Sequence, residues 1–162
     1  MLSNKVADII FDRLQELCHG EVSPDTISSL SDEQILTIGT SRPKVKSIRA
    51  LTNATKNGTL DFSMFPKMSD NEVMQELTAI RGIGNWSAKM YLIFALDRQD
   101  VLPFEDKAFL QAYSWAYKTN DYSPNTVIKR CKKWKPYSSI AARCMYRALD
   151  MGLTKQEFHL YK

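Results

Sequence analysis

Cysteine is scarce and unpatterned in this chain: Cys18, Cys131 and Cys144 are an odd number with no close pair among them. That excludes a disulfide framework and a thiolate metal site, and it points to a reducing, cytoplasmic setting. Long apolar runs are missing too. No stretch approaches the roughly 18 residues that a membrane helix needs, and the amino-terminal MLSNKVADII lacks a basic stretch followed by an apolar segment and a cleavage site. Neither membrane insertion nor export is expected. Strand-like alternation, internal repeats and low-complexity tracts are absent as well, which excludes β architectures and repeat arrays. Histidine is limited to His19 and His159, in no ligand or catalytic pattern, and both are expected at the surface. Charge is nearly balanced: 22 Lys and Arg oppose 18 Asp and Glu, a net charge of +4 that suits an anionic partner without identifying one.

What the chain has in abundance is helical periodicity. Val6, Ile9, Ile10, Leu14 and Leu17 follow the three-and-four spacing of an amphipathic helix that Ser3 caps and Gly20 follows. Further starts are marked by Ser23 before Pro24, by Ser31 with Gln34, by Ser69 with Glu72, by Ser123 before Pro124 and by Thr154 with Glu157. These signals predict an all-α chain of about ten helices, at 3–18, 25–30, 32–38, 43–57, 70–79, 85–97, 106–118, 124–133, 137–151 and 155–160. The stretch Arg98 to Phe104 ends in Leu-Pro-Phe, where proline disfavours helix before it, and is expected to cross between two lobes, 1–98 and 99–162.

One turn stands out. In LTAIRGIGNWSAKMYL, Gly82-Ile83-Gly84 separates two helical stretches with almost no connecting chain. Glycines accept the positive φ such a turn requires and remove side chains that would hold another backbone away. The helix that follows offers free N–H groups there, a local site for a phosphate oxygen directly or through a bound cation. A glycine cap between two packed helices explains the same three residues.

The surroundings narrow the choice. The run L-x-x-I-R-G-I-G-N-W-S-A-K-M followed by A-L-D-R-Q-D-V-L-P-F-E-D-K-A-F-L-Q resembles the helix-hairpin-helix, Gly/Pro-rich, Asp superfamily of DNA glycosylases, and within it the alkylpurine, 3-methyladenine type branch. The hairpin is Gly82 to Gly84, the proline Pro103 and the closing aspartate Asp106. LSNKVADIIFDRL and WKPYSSIAARCMY resemble two further family segments, so the likeness covers nearly the whole chain. It implies two helical lobes with a cleft between them, and an enzyme of base excision repair that hydrolyses the N-glycosidic bond of an alkylated purine in double-stranded DNA.

The resemblance also assigns roles. Cleavage passes through an oxocarbenium-like sugar, so a carboxylate beside the anomeric carbon lowers the barrier, and the same group can orient the attacking water. Asp106 takes that role; it also stands where a cap for the helix FEDKAFLQ is needed, and the two are compatible. Glu105 does not fit the family position and is read as a solvated neighbour. Relatives that also cut the strand carry a Schiff-base lysine where this chain has Trp86, and Lys89 lies one turn on, so a monofunctional hydrolase is implied. The cysteine quartet that binds an iron-sulfur cluster in some relatives is missing. No cofactor is implied beyond a monovalent cation at the hairpin.

The damaged base must leave the stack to reach Asp106. Trp86 and Tyr146 occupy pocket positions of the alkylpurine branch, with Tyr137 a third candidate, and electron-rich rings suit a cationic alkylpurine. Trp86 with Met90, Ile93 and Phe94 equally makes an ordinary buried helix face. Phosphate contacts are expected from the hairpin amides, at Gly82, Ile83, Gly84 and Trp86. The basic residues Lys129, Arg130, Lys132, Lys133 and Lys135, and Arg42, Lys44, Lys46 and Arg49, read first as solvated helix faces. Relatives carry additional residues before the LSNKVA segment, so the amino-terminal helices of one lobe are expected to be missing and apolar surface exposed, with a homodimer or domain swap among the ways to cover it. The alternative function is a non-catalytic helix-hairpin-helix DNA-binding module, one that has no use for Pro103, Asp106 or the aromatics, or else an inactive fragment of a glycosylase.

Overall fold

The computed structural model describes residues 4–157, so Ser3, His159 and the second half of the helix expected at 155–160 lie outside the described residues. Nine α-helices are present among the described residues, with no strand: α1 (Asn4–Leu17), α2 (Pro24–Ser29), α3 (Asp32–Thr37), α4 (Arg42–Lys56), α5 (Asp70–Ala79), α6 (Asn85–Phe94), α7 (Lys107–Tyr117), α8 (Pro124–Cys131) and α9 (Ser138–Asp150). Short 3-10 turns occupy Phe62–Lys67, Lys132–Trp134 and Leu153–Lys155, the first of them not foreseen in the sequence. The boundaries follow local chemistry. Ser31 with Gln34 and Ser69 with Glu72 form reciprocal capping boxes, and Ser23 pairs with Thr26 in the same way ahead of Pro24. Ser123 makes no side-chain cap; its N–H is instead taken by the Asp121 carboxylate, 2.9 Å away. At Thr154 a 3-10 turn stands where a capping box was expected.

The chain divides into two compact units, Met1–Gly84 and Asn85–Lys162. The first is built around Cys18, Leu30, Ile35, Ile38 and Val45, against which α1 lays Ile10, Leu14 and Leu17. Val6 and Ile9, on the same predicted stripe, are 40% and 41% exposed, and Phe11 is 52% exposed. Arg49 is drawn inward by two carbonyls and a carboxylate: it donates to the carbonyls of Ile27, at 2.8 Å, and Leu30 while pairing with Asp32 at 2.8 Å. It thereby satisfies carbonyls at the end of α2, the bonding a helix terminus requires.

In the second unit Phe109, Tyr113, Val127, Cys131 and Ala142 form the core, with Trp134 edge-on to Phe109 at 6.1 Å. The division falls one helix before the crossing expected at Arg98 to Phe104, and hydrogen bonds explain why that stretch is not a linker. Ser139 N–H donates to the Gln99 carbonyl at 2.9 Å, the Ser139 hydroxyl receives the Val101 N–H at 2.9 Å, and Asp100 accepts from the Ser138 hydroxyl at 2.5 Å and from Lys135 at 2.7 Å. The segment is stitched to the head of α9. Burial works to raise the Asp100 carboxyl, but the bonds from Lys135 and Ser138 outweigh it and hold the group below its ordinary range.

Candidate active site around Asp106

Pro103 is fully buried, and its carbonyl receives the Asp106 N–H at 3.0 Å, closing a four-residue turn through Phe104 and Glu105. That turn delivers Asp106 to the head of α7. The side chain is only 3% exposed, and a buried carboxylate demands partners. Oδ1 accepts the Phe109 N–H at 2.7 Å, the bond of a helix N-cap. Oδ2 accepts the indole N–H of Trp86. The free amides and dipole at the start of α7 favour negative charge at this point.

Trp86 does not make a buried helix face. It is 45% exposed, at the second residue of α6, with its Nε1 directed at Asp106. Residues 86, 90 and 94 share one face of α6, and Phe94 is 56% exposed. Ile93, by contrast, is fully buried. Tyr146, from α9, joins this stripe: its ring lies 5.9 Å from that of Phe94 and its hydroxyl 3.9 Å from the Met90 sulfur. Burial first, then the charge of Asp106, a hydrogen bond with it and the charge of Glu105 push the Tyr146 phenol far above its ordinary range. The structure brings Asp106, Trp86 and Tyr146 together and leaves Tyr137 apart. Tyr137 is 55% exposed at the N-cap of α9, nine residues and so about 13 Å along the helix axis from Tyr146.

Glu105 is exposed, as expected of a solvated neighbour, but it is also paired. Its two oxygens take the Lys89 ammonium at 2.6 and 2.7 Å, and the same ammonium lies 3.9 Å from the centre of the Phe104 ring. The signal that could have found this pairing was the three-residue spacing from Trp86 to Lys89, which puts both on one side of α6.

At the hairpin the two glycines have different tasks. Gly82 has φ +92°, and a Cβ there would meet the Ser47 hydroxyl oxygen at 1.9 Å, so the turn itself demands glycine. Gly84 has no positive φ and open space where a Cβ would stand. Ile83 N–H donates to the Ile80 carbonyl at 3.0 Å, tightening the turn between α5 and α6.

The basic runs are partly consumed in place. Arg130 stacks 5.3 Å from the Tyr117 ring centre, Lys133 lies 5.1 Å from the same ring, and Lys135 pairs with Asp100. Arg49 is structural, as above, whereas Lys129, Lys132, Arg42, Lys44 and Lys46 are exposed. Among the described residues no helix is long and apolar enough to cross a membrane, and no group of three or more His, Cys, Asp or Glu is placed to hold a metal ion.

No family model matches the chain. Individual proteins do. DNA-3-methyladenine glycosylase 1 of Schizosaccharomyces pombe is 28% identical over 155 residues, 93% of this chain and 68% of that protein. Among solved structures, S. pombe 3-methyladenine DNA glycosylase (Mag1) in complex with abasic DNA superposes with a TM-score of 0.85 at 27% identity, over 93% of this chain and 75% of its own. The crystal structure of DNA-3-methyladenine glycosidase from Bacillus halodurans gives a TM-score of 0.81 at 31% identity, over 97% of this chain and 73% of its own. With that degree of likeness along a chain whose glycine turn, buried proline and capped aspartate follow one another in the family's order, the protein belongs to the 3-methyladenine DNA glycosylase family of helix-hairpin-helix proteins.

Proposed function

We propose that the chain is a monofunctional DNA glycosylase of base excision repair, which hydrolyses the N-glycosidic bond of alkylated purines of the 3-methyladenine type in double-stranded DNA and leaves an abasic site. The observation that carries the reading is the setting of Asp106: a carboxylate 3% exposed, with one oxygen spent on α7 and the other on an exposed tryptophan. Pure capping has no use for the second bond.

In this reading the flipped nucleotide brings its sugar against Asp106. Charge developing on the sugar meets a fixed carboxylate; at about 4 Å and an effective dielectric near 20 the attraction is on the order of 4 kcal/mol, an upper bound for partial charge. Trp86 and Tyr146 form the face on which a cationic purine stacks, supported by their common contact with Asp106. Tyr137 is left out of the pocket because of its distance along α9. Gly82, Ile83, Gly84 and the first amides of α6, Trp86 included, take a phosphate of the DNA backbone, with a monovalent cation as an optional bridge. The open space at Gly84 supports this, since the fold itself gives no reason for a glycine there. Trp86 stands where strand-cutting relatives have lysine, so water is the nucleophile, and borohydride is expected to trap no covalent adduct with DNA.

The working place is the cytoplasm, on chromosomal DNA. A homodimer or domain swap would cover Ile9 and Phe11 of α1, which are exposed, and sedimentation velocity reads it directly. The functional test is a gel assay on duplex DNA containing 3-methyladenine, 7-methylguanine or hypoxanthine. Base release by the wild type that Asp106→Asn abolishes supports the enzyme. Equal DNA binding with no release by either protein supports the non-catalytic module.

A further inference from the structure

We propose that Lys89 is a positioning residue for Asp106: by gripping Glu105 and Phe104 it holds the Pro103–Asp106 turn on α6 in the setting that brings the Asp106 carboxylate to the Trp86 indole. The proposal rests on the glycosylase reading for its kinetic consequence. Three consecutive turn residues are held by two side chains of a single helix. Lys89 takes Phe104 through its ring face and Glu105 through both oxygens, while Trp86, one turn earlier on α6, takes Asp106. A lysine ordinarily carries its ammonium to water, yet the Lys89 side chain is only 15% exposed, so its placement is built in.

Charge gives the pairing a second consequence. Glu105 and Asp106 are adjacent carboxylates, and unpaired they would repel. The Lys89 ammonium neutralises Glu105 and is itself fully occupied there, so it neither leaves Asp106 crowded by a like charge nor quenches it. The ion pairs among the described residues do not include Asp106. The charge left uncompensated in this corner is thus the one that faces the proposed sugar cation. A one-turn lever of this kind matters because a displacement of about 1 Å at a reacting group can cost on the order of a hundredfold in rate.

Two readouts test it. The first is the single-turnover rate of base release on duplex DNA containing hypoxanthine or 7-methylguanine, measured with the affinity for the same DNA. The second is independent of activity: the indole N–H resonance of Trp86 and its hydrogen exchange, identified among the three tryptophans by Trp86→Phe. For Lys89→Met the expectation is a rate about thirtyfold lower with affinity within about threefold, together with a shifted, faster-exchanging Trp86 indole. Lys89→Arg should stay within about threefold of wild type, and Lys89→Glu with Glu105→Lys should recover at least about tenfold over Lys89→Glu alone. Should Lys89→Met fail to fold, Glu105→Gln, on the more exposed partner, takes its place with the same expectation. A Lys89→Met or Glu105→Gln rate within about twofold of an active wild type, with the indole signal unmoved, overturns the proposal and spares the glycosylase reading. A wild type that releases no base, with an indole that still responds to Lys89→Met, does the reverse.

Discussion

At Asp106 one side chain serves two partners through its two oxygens, Phe109 N–H at the head of α7 and the Trp86 indole. The cap was legible in the sequence, because an aspartate directly before an amphipathic run is a helix start. So was the aspartate's place in the family order. What the sequence could not supply is the second bond, since it depends on which face of α6 meets the turn. For the same reason Trp86 fitted equally a buried stripe, and the distance along α9 between Tyr137, the weaker pocket candidate, and Tyr146 could not be weighed. A hydrogen bond to a charged group is worth about 1.5 to 3 kcal/mol. Trp86→Phe, which keeps the ring and loses the donor, is therefore expected to slow base release by roughly ten- to a hundredfold, with DNA affinity little changed; single-turnover kinetics beside a binding titration checks both.

The helices themselves were read from periodicity and caps, and most ends fall within a few residues of expectation. Glycines divide less obviously. Both positions of the hairpin look alike in sequence, yet Gly82 is held by its φ of +92° and by Ser47, and Gly84 by nothing within its own surroundings. Gly82→Ala is expected to lower stability by about 1 to 3 kcal/mol, a fall of several degrees in melting temperature. Gly84→Ala should leave melting unchanged and weaken DNA binding several-fold. Equal melting losses for the two would remove the phosphate role assigned to Gly84. The Arg98 to Phe104 stretch misled for a physical reason: proline marks the end of helix but not the absence of packing, and Asp100 ties this segment to Lys135 and Ser138. The lowered Asp100 carboxyl contributes stability that is present above its unfolded value and lost as pH falls through the lower folded one. Asp100→Asn should then cost up to about 1 kcal/mol at pH 7, the range of an exposed ion pair, and wild type and variant should converge as the pH falls below about 4, read by thermal melts across that range.

Across the whole molecule the sequence named the fold class correctly, since ten helical signals and a glycine turn leave few architectures. The net charge of +4 suits an anionic partner without identifying one, and Arg49, Arg130, Lys133 and Lys135 make contacts within the fold. The chain spans 68% to 75% of the relatives compared above, and the activity ascribed to it is one that those longer proteins carry in their names. One comparison decides whether the corner around Asp106 is sufficient for chemistry: the single-turnover rate of base release by this chain and by Asp106→Asn, on the same duplex carrying an alkylated purine and at enzyme concentrations that saturate the DNA. Release by the wild type and a loss of at least about a hundredfold in the variant, with DNA binding preserved, is the expected outcome. Release undiminished in Asp106→Asn would contradict catalysis by this carboxylate.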